Sequence, residues 1–458
     1  MSKAIRVPHT LVLLFGMMVL ALVATWVLPQ GRFETTKDAK GHELVVPGTY
    51  APVAEPVLLT PIDLFTAVPR ALAASADIVF FVLLVGGAIS VLRATGMIDA
   101  ALGRVLSLIG DKPNALIVIG MVLFAAVSGA IGVAEEYIPF AAMLIALCLA
   151  MRMDAITAMG IMVGGYGIGY GVAALNPFTV LVAQNVAGLQ PTSGAWYRWA
   201  LFVPFVAIGI HHVWAYARRV QADPSKSLML GVESIHSAPT EFPKLSGRLL
   251  LVLAFAIATL VLMSWGIATQ GWYLVELGAL FVGLAILSGA VGGLGADGTA
   301  KRFVEGAAEL AGTAVLIGFA RSIALLLEDG QVLHTIVNAL AGPLSSLGAE
   351  LAVVGMLLIQ TLINFFIPSG SGQAFVTMPL MAPLSDLLGI SRQTAVLAFQ
   401  MGDGFSNMIV PTNIVLMSIL GIAGIPYDRW FRFVWPLMLK LTIAGAIALV
   451  VAVLIGYQ

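Results

Sequence analysis

Long apolar runs alternate along the whole chain with short polar breaks. A helix of about 20 apolar residues crosses a hydrocarbon core, so the pattern predicts an all-α polytopic membrane protein. The first run, Thr10 to Pro29, follows Lys3 and Arg6, and the positive-inside rule places the N-terminus in the cytoplasm. This run is too long for a signal-peptide core, and no small-residue cleavage site follows it. Gly31 to Pro56 is polar and reads as an outside loop. Leu59 to Leu72 suits the interface, and Ile78 to Leu92 returns to the cytoplasm at Arg93, Arg104 and Lys112.

Two runs are then too short and one is too long. Asn114 to Val127 and Tyr137 to Ala150 flank Ser128-Gly129-Ala130-Ile131-Gly132-Val133-Ala134-Glu135-Glu136. A helix of ~14 residues rises only about 21 Å, which predicts a re-entrant hairpin rather than two full spans. Ala155 to Leu189 would rise ~52 Å as one helix, so it must break, and the glycines before Asn176-Pro177 place the break there. Trp196-Tyr197-Arg198-Trp199 reads as an interfacial aromatic anchor, and Ala200 to Ala217 as the span that ends at Arg218-Arg219.

After a polar loop and the paired spans Leu249 to Gly266 and Trp272 to Val291, the same order returns. Ala300 to Leu310 suits the interface, and Ala311 to Leu327 crosses. Ala352 to Ile367 and Phe375 to Leu388 form a second short pair. Thr394 to Ile425 is overlong and breaks near Pro411, and Phe433 to Ile455 ends outside. Gly330, Pro411 and Trp430-Phe431-Arg432-Phe433 all lie 234 positions after Gly96, Pro177 and Trp196-Tyr197-Arg198-Trp199. On this topology Arg198 is outside and Arg432 inside, so the repeats are inverted. Fifteen Lys and Arg fall inside, six outside and two (Arg321 and Lys440) within spans. The units are 1–58 (first span and outer loop), 59–219 (repeat 1, hairpin about 113–150, broken helix about 155–189), 220–245 (cytoplasmic loop), 246–296 (paired spans) and 297–458 (repeat 2, hairpin about 349–388, broken helix about 391–425).

Composition agrees: the chain is 60% hydrophobic and 10% charged, against about 25% charged in soluble chains. The net charge of −1 says nothing about nucleic acid, but no basic cluster suggests such a partner, and none is expected. One cysteine, Cys148, rules out a disulfide framework, and the six histidines form no ligand motif. With no nucleotide-binding or hydrolase signature, an enzyme or an ATP-driven pump is not expected.

Inverted repeats with broken helices point to a secondary transporter whose site lies near the membrane midplane. Candidate chemistry gathers there. Glu135 and Glu136 lie at the first tip and Asp403 in the second broken helix. Intramembrane carboxylates suit Na⁺, a proton or a cationic substrate group, although each also suits a helix cap. Ser369, Ser371, Gln373, Ser406, Asn407, Thr412, Asn413, Asn176 and Thr179 supply neutral donors and acceptors, and free amides at half-helix N-termini suit a substrate carboxylate. Three acids and no nearby base in these two motif sets favour a zwitterionic or cationic substrate over a dicarboxylate. Arg321, mid-span, would favour the dicarboxylate if it faced the cavity. A channel or membrane sensor would need a continuous polar stripe, and two local clusters are found instead.

Asn364-Phe365-Phe366 with Ser369-Gly370-Ser371-Gly372-Gln373-Ala374, Gln400 with Gly402-Asp403-Gly404-Phe405-Ser406, Gly132 with Glu135-Glu136, and Asn176-Pro177-Phe178 resemble the YfcC-type branch of the C4-dicarboxylate anaerobic carrier (DcuC-like) family, over nearly the whole chain. The resemblance adds Gly132, Gly370 and Gly372 to the candidate site, with a possible Na⁺ near the two tips. It implies a homodimer in the cytoplasmic (inner) membrane with scaffold and transport domains and an elevator motion. No cofactor is implied beyond Na⁺ or H⁺ as the coupling ion. The partners are a small-molecule substrate and the lipid bilayer. Branch members are described as basic amino acid antiporters, whereas the family name says dicarboxylate.

Overall fold

The computed structural model of the chain describes residues 10–37, 43–109, 112–134, 137, 140–232, 244–270, 272–345 and 347–458. Glu135 and Glu136 lie outside them. Nineteen α-helices occur among the described residues. The first, α1 (Thr10–Val27), is followed by two small antiparallel strand pairs in the outer loop: β1 (Gly31–Arg32) with β4 (Ala51–Pro52), and β2 (Thr35–Lys37) with β3 (Glu43–Val45). An all-helical reading did not anticipate these strands.

Next come α2 (Pro61–Ala74), α3 (Ala76–Ala94), α4 (Met97–Ile109), α5 (Pro113–Ile131), α6 (Phe140–Ala150), α7 (Ala155–Gly171), α8 (Val180–Val186) and α9 (Ala195–Ala222). After α10 (Gly247–Gln270) and α11 (Leu274–Gly292) the same order recurs. It runs through α12 (Gly295–Glu309), α13 (Ala311–Asp329), α14 (Leu333–Ser345), α15 (Gly348–Asn364), α16 (Gly370–Leu387), α17 (Arg392–Ser406), α18 (Ile414–Ile422) and α19 (Tyr427–Leu454). Lengths repeat with the order: α3 and α13 have 19 residues, α4 and α14 have 13, and α9 and α19 have 28. Packing repeats as well. α3 lies against α11 and α12, α13 against α1 and α2, α5 against α7, and α15 against α17.

Seven helical stretches among the described residues are long and apolar enough to cross a membrane, including α3, α9, α11 and α19. α5 is one of them, although its apolar run had predicted a short limb. The helix continues through Ser128 to Ile131 because small residues pack there: a Cβ on Gly129 would already lie 3.1 Å from the Gly169 carbonyl. α5 stops at Gly132, whose φ of 73° suits glycine, while α6 has only 11 residues. The second tip also differs from expectation. Its glycine-rich residues form the first turn of α16, capped by Ser369, so the irregular tip is the stretch before them.

Both overlong stretches break. Residues 172–179 separate α7 from α8, and 407–413 separate α17 from α18. α7 and α17 cross where a Cβ on Gly404 would lie 2.3 Å from the Gly171 amide nitrogen. Backbone cannot move aside as a side chain can. Gly404→Ala is therefore expected to cost about 1–3 kcal/mol of overpacking. A fluorescence melt of the detergent-solubilised variant checks this, and an unchanged midpoint would mean that the two helices separate freely.

The aromatic anchor divides. Trp196 and Trp199 are exposed, as interfacial residues should be, but Arg198 is wholly buried. Its guanidinium donates to Gln400 Oε1 (2.9 Å), Gln393 Oε1 (2.9 Å), the Ser193 carbonyl (3.2 Å) and the Tyr457 hydroxyl. Helical periodicity explains the correction, since neighbours in a helix point to different faces. Gln400, held this way, donates its amide to the Tyr170 and Ala173 carbonyls at the end of α7.

Candidate substrate-binding site

Asn176 builds the first break. Its Oδ1 accepts the Phe178 amide (2.9 Å) and the Thr179 amide (3.2 Å), and its Nδ2 donates to the Ser128 carbonyl of α5 (3.1 Å). The break is thereby tied to the first tip. Gly132 sits in that tie: a Cβ there would lie 2.8 Å from Asn176 Oδ1. The Tyr170 hydroxyl donates to the Gly132 carbonyl.

Asn364, the last residue of α15, builds the second. Its Nδ2 donates to the Asp403 carbonyl (3.2 Å), Ser406 Oγ (2.7 Å) and Asn407 Oδ1 (3.0 Å). Asn413 caps α18 by accepting the Leu416 amide (2.9 Å) and donates to Asn407 Oδ1 (3.0 Å). Thr412 Oγ1 donates to the Phe365 carbonyl at 2.9 Å, and Ser406 Oγ to the Gly402 carbonyl at 2.5 Å. Gln373 donates to the carbonyl (2.9 Å) and Oε1 (2.7 Å) of Gln360 on α15.

Both tips and both breaks meet at one cavity of about 230 Å³. Seven of the sequence candidates line it: Gly132, Thr179, Ser369, Gly370, Ser371, Asn407 and Asn413. Asn176, Gly372, Gln373, Asp403, Ser406 and Thr412 do not; Asn176, Gln373, Ser406 and Thr412 hold neighbouring backbone or side chains in place. Asp403 is fully buried next to the wall, and a Cβ on Gly370 would lie 3.2 Å from its Oδ2. Asp403 Oδ1 accepts from Asn407 Nδ2 (3.2 Å), while Oδ2 has no hydrogen-bond partner among the described residues. The same holds for Asn364 Oδ1, Gln373 Oε1 and Thr179 Oγ1, all buried. Buried polar atoms are nearly always satisfied, so such a group of acceptors is unusual.

The opposite wall comes from α3 and α12, which the sequence reads as a span and an interfacial helix. Gly86, Ile89, Arg93, Gly306, Glu309 and Leu310 line it. The scarcity of bases near the motifs is thus corrected: Arg93 is far in sequence and near in space. The available signal was the glycine on each helix, since a Cβ on Gly306 would lie 2.4 Å from the Gly86 carbonyl. Arg321 faces a different cavity, of about 490 Å³, beside Met378 and Pro379 of α16. There it is paired with Glu328 at 2.9 Å.

A family model described as C4-dicarboxylate anaerobic carrier, DcuC, matches residues 7–454. An Escherichia coli K12 protein named "Putative basic amino acid antiporter YfcC" is 32% identical, over 98% of this chain and 97% of its own length. A Haemophilus influenzae protein is 28% identical over 99% of this chain and 98% of its own. Among solved structures, the Alcanivorax borkumensis YdaH transporter superposes with a TM-score of 0.71 at 17% identity, covering 98% of this chain and 99% of its own. Neisseria gonorrhoeae MtrF, described with a class of antimetabolite efflux pumps, gives 0.65 at 17% identity, covering 98% and 96%. At that identity the two structures bear on the fold alone.

Proposed function

Because the chain belongs to the C4-dicarboxylate anaerobic carrier family and is a membrane transporter rather than an enzyme, we propose that it carries an amino acid, with basic amino acids foremost, as a secondary active transporter of the cytoplasmic membrane. The observation that carries this reading is the cavity where both tips and both breaks meet. Its first substrate contact is the start of α16, where Ser369, Gly370 and Ser371 present a helix N-terminus suited to a carboxylate. The unpartnered oxygens of Asp403, Asn364 and Gln373 close by suit a cation, which supports coupling to Na⁺ or H⁺ by symport, or exchange by antiport. The name of the Escherichia coli relative supports the basic amino acid.

Two inverted repeats, working as an elevator in a homodimer, complete the proposal. The recurrence of α2–α9 as α12–α19 supports the repeats, and the packing of α3 with α11 and α12 and of α13 with α1 and α2 supports a scaffold, which meets the second tip where α13 lies against α16. With the N-terminus in the cytoplasm and the C-terminus outside, Arg93 and Glu309 lie at the cytoplasmic side of the 230 Å³ cavity. The second reading is a C4-dicarboxylate carrier, favoured by the family description and by Arg93 on the cavity wall.

Thermal stabilisation of the purified protein by amino acids, peptides and dicarboxylates, with Na⁺ present or replaced by choline, tests the choice. A ligand at 100 times its Kd stabilises by about 2.7 kcal/mol. Arginine, ornithine or lysine is expected to raise the midpoint. A rise with succinate or fumarate alone would replace the amino acid reading by the dicarboxylate one.

A further inference from the structure

Lys440 lies thirteen positions after Tyr427, the first residue of α19, so its Cα is about 20 Å along a helix of about 42 Å. It is nevertheless exposed. A cation in mid-span ordinarily faces the bundle interior or a partner. His212, buried on α9, shows where the ammonium goes. Its Nε2 donates to the Phe433 carbonyl at 2.9 Å, since a carbonyl can only accept. Nδ1 then keeps its lone pair, and Lys440 Nζ lies 3.4 Å from it. Phe433 is seven positions nearer the start of α19. The lysine therefore leans toward that end, as helical side chains do. On the proposed topology that end is cytoplasmic.

Further cations gather there. Arg219 and His211 lie near the same His212 ring. Arg219 shares a face of α9 with His212 and Tyr216, and Arg432 shares a stripe of α19 with Lys440, two turns away. Arg219, Arg432 and Lys440 are exposed, and none has a carboxylate partner among the described residues. The neighbouring acids are engaged elsewhere. Asp223 and Asp428 pair with Lys226 and Arg429, and Asp154 accepts from Tyr216 and Ser227. Beside this basic groove runs an apolar stripe. Phe431, Trp435, Leu439 and Ile443 follow every four residues and are 40%, 54%, 53% and 53% exposed.

We propose that the groove between α9 and α19 binds one anionic phospholipid, its phosphate held by Lys440, Arg219 and Arg432 and its acyl chains laid on Trp435, Leu439 and Ile443. Lys440 selects the head group, because a cation sunk below the interface is offset only by a negative charge drawn in toward it. A zwitterionic head group brings its own cation and offsets it less. α9 packs on α5 and α7, and α19 on α15 and α17. The lipid thereby joins the two groups of helices that carry the tips and stabilises their association.

Dioleoyl phosphatidylglycerol and dioleoyl phosphatidylcholine share their chains and differ in head-group charge. Each is titrated into the full-length protein in detergent, with binding read by native mass spectrometry and by thermal midpoint. Phosphatidylglycerol is expected to bind about tenfold more tightly than phosphatidylcholine and to raise the midpoint. Lys440→Met is expected to weaken phosphatidylglycerol about fivefold and leave phosphatidylcholine unchanged, while Lys440→Arg keeps the preference. Arg219→Gln, at the end of its helix, is expected to act in the same direction and replaces Lys440→Met if that variant does not fold. Lys301→Gln removes an exposed charge of α12 and is expected to change neither lipid.

Equal affinity of wild type for the two lipids overturns the proposal, as does an equal loss in Lys301→Gln. Stabilisation by inorganic phosphate to the same extent as by phosphatidylglycerol overturns it in favour of a free anion. A changed gel-filtration mass of Lys440→Met with unchanged lipid binding overturns it in favour of a second copy of the chain on this face.

Discussion

Asp403→Asn is expected to reduce uptake into proteoliposomes by at least a hundredfold in a protein that still folds. The substitution keeps the size of the side chain and keeps an oxygen in place of Oδ1, which accepts from Asn407 Nδ2 at 3.2 Å. The contact that fixes the last turn of α17 therefore survives, and the thermal midpoint should stay close to that of wild type. What is lost is the negative charge and the capacity to take up and release a proton. Those are the properties a cation-coupled cycle needs, and Asp403 Oδ2 is a buried oxygen with no partner among the described residues. Each tenfold loss corresponds to about 1.4 kcal/mol. Normal uptake by the folded variant would leave Asp403 as a helix residue with no part in transport.

Gly370→Ala is expected to impair transport by crowding the site. Gly370 is the first residue of α16, and its φ is not among the left-handed ones, so the backbone tolerates a side chain. Alanine in a helix is favoured over glycine by up to about 1 kcal/mol, and the fold should not suffer from that term. The added methyl nevertheless points into the site. It would lie 2.5 Å from Thr179 Cγ2 and 3.2 Å from Asp403 Oδ2. Thr179 is β-branched and buried, so it cannot turn aside without disturbing the first break. Uptake by Gly370→Ala is expected to fall at least tenfold, and by Gly370→Val to background, with a thermal midpoint lowered by the overpacking at Thr179, more for valine than for alanine. Transport at the wild-type rate in both would place the substrate away from the α16 N-terminus.

Much of the site was legible in the sequence for a simple reason. A break in an intramembrane helix must expose amides and carbonyls, and only small or polar residues can satisfy them. Asn176, Asn364, Asn407 and Asn413 carry that signature, and in the folded chain each bonds across a break or from a tip. The same rule misjudged the second tip. Gly370 to Gln373 form a regular helical turn, because glycine and serine next to a cap are as compatible with an α-helix start as with a loop.

Apolar periodicity determined by itself that this is a helical membrane protein, where its two overlong stretches break, and that its order of elements recurs. Those properties follow from local rules of length, turn and solvation. Which residues share a cavity was decided by tertiary structure alone. Arg93 and Glu309 lie far apart in the chain and become neighbours because glycines let α3 and α12 approach closely. Arg198 reads as an interfacial residue, yet it is buried because acceptors from α17 and from Tyr457 close around it. A charge is placed by what the fold brings to it, and no local pattern contains that information.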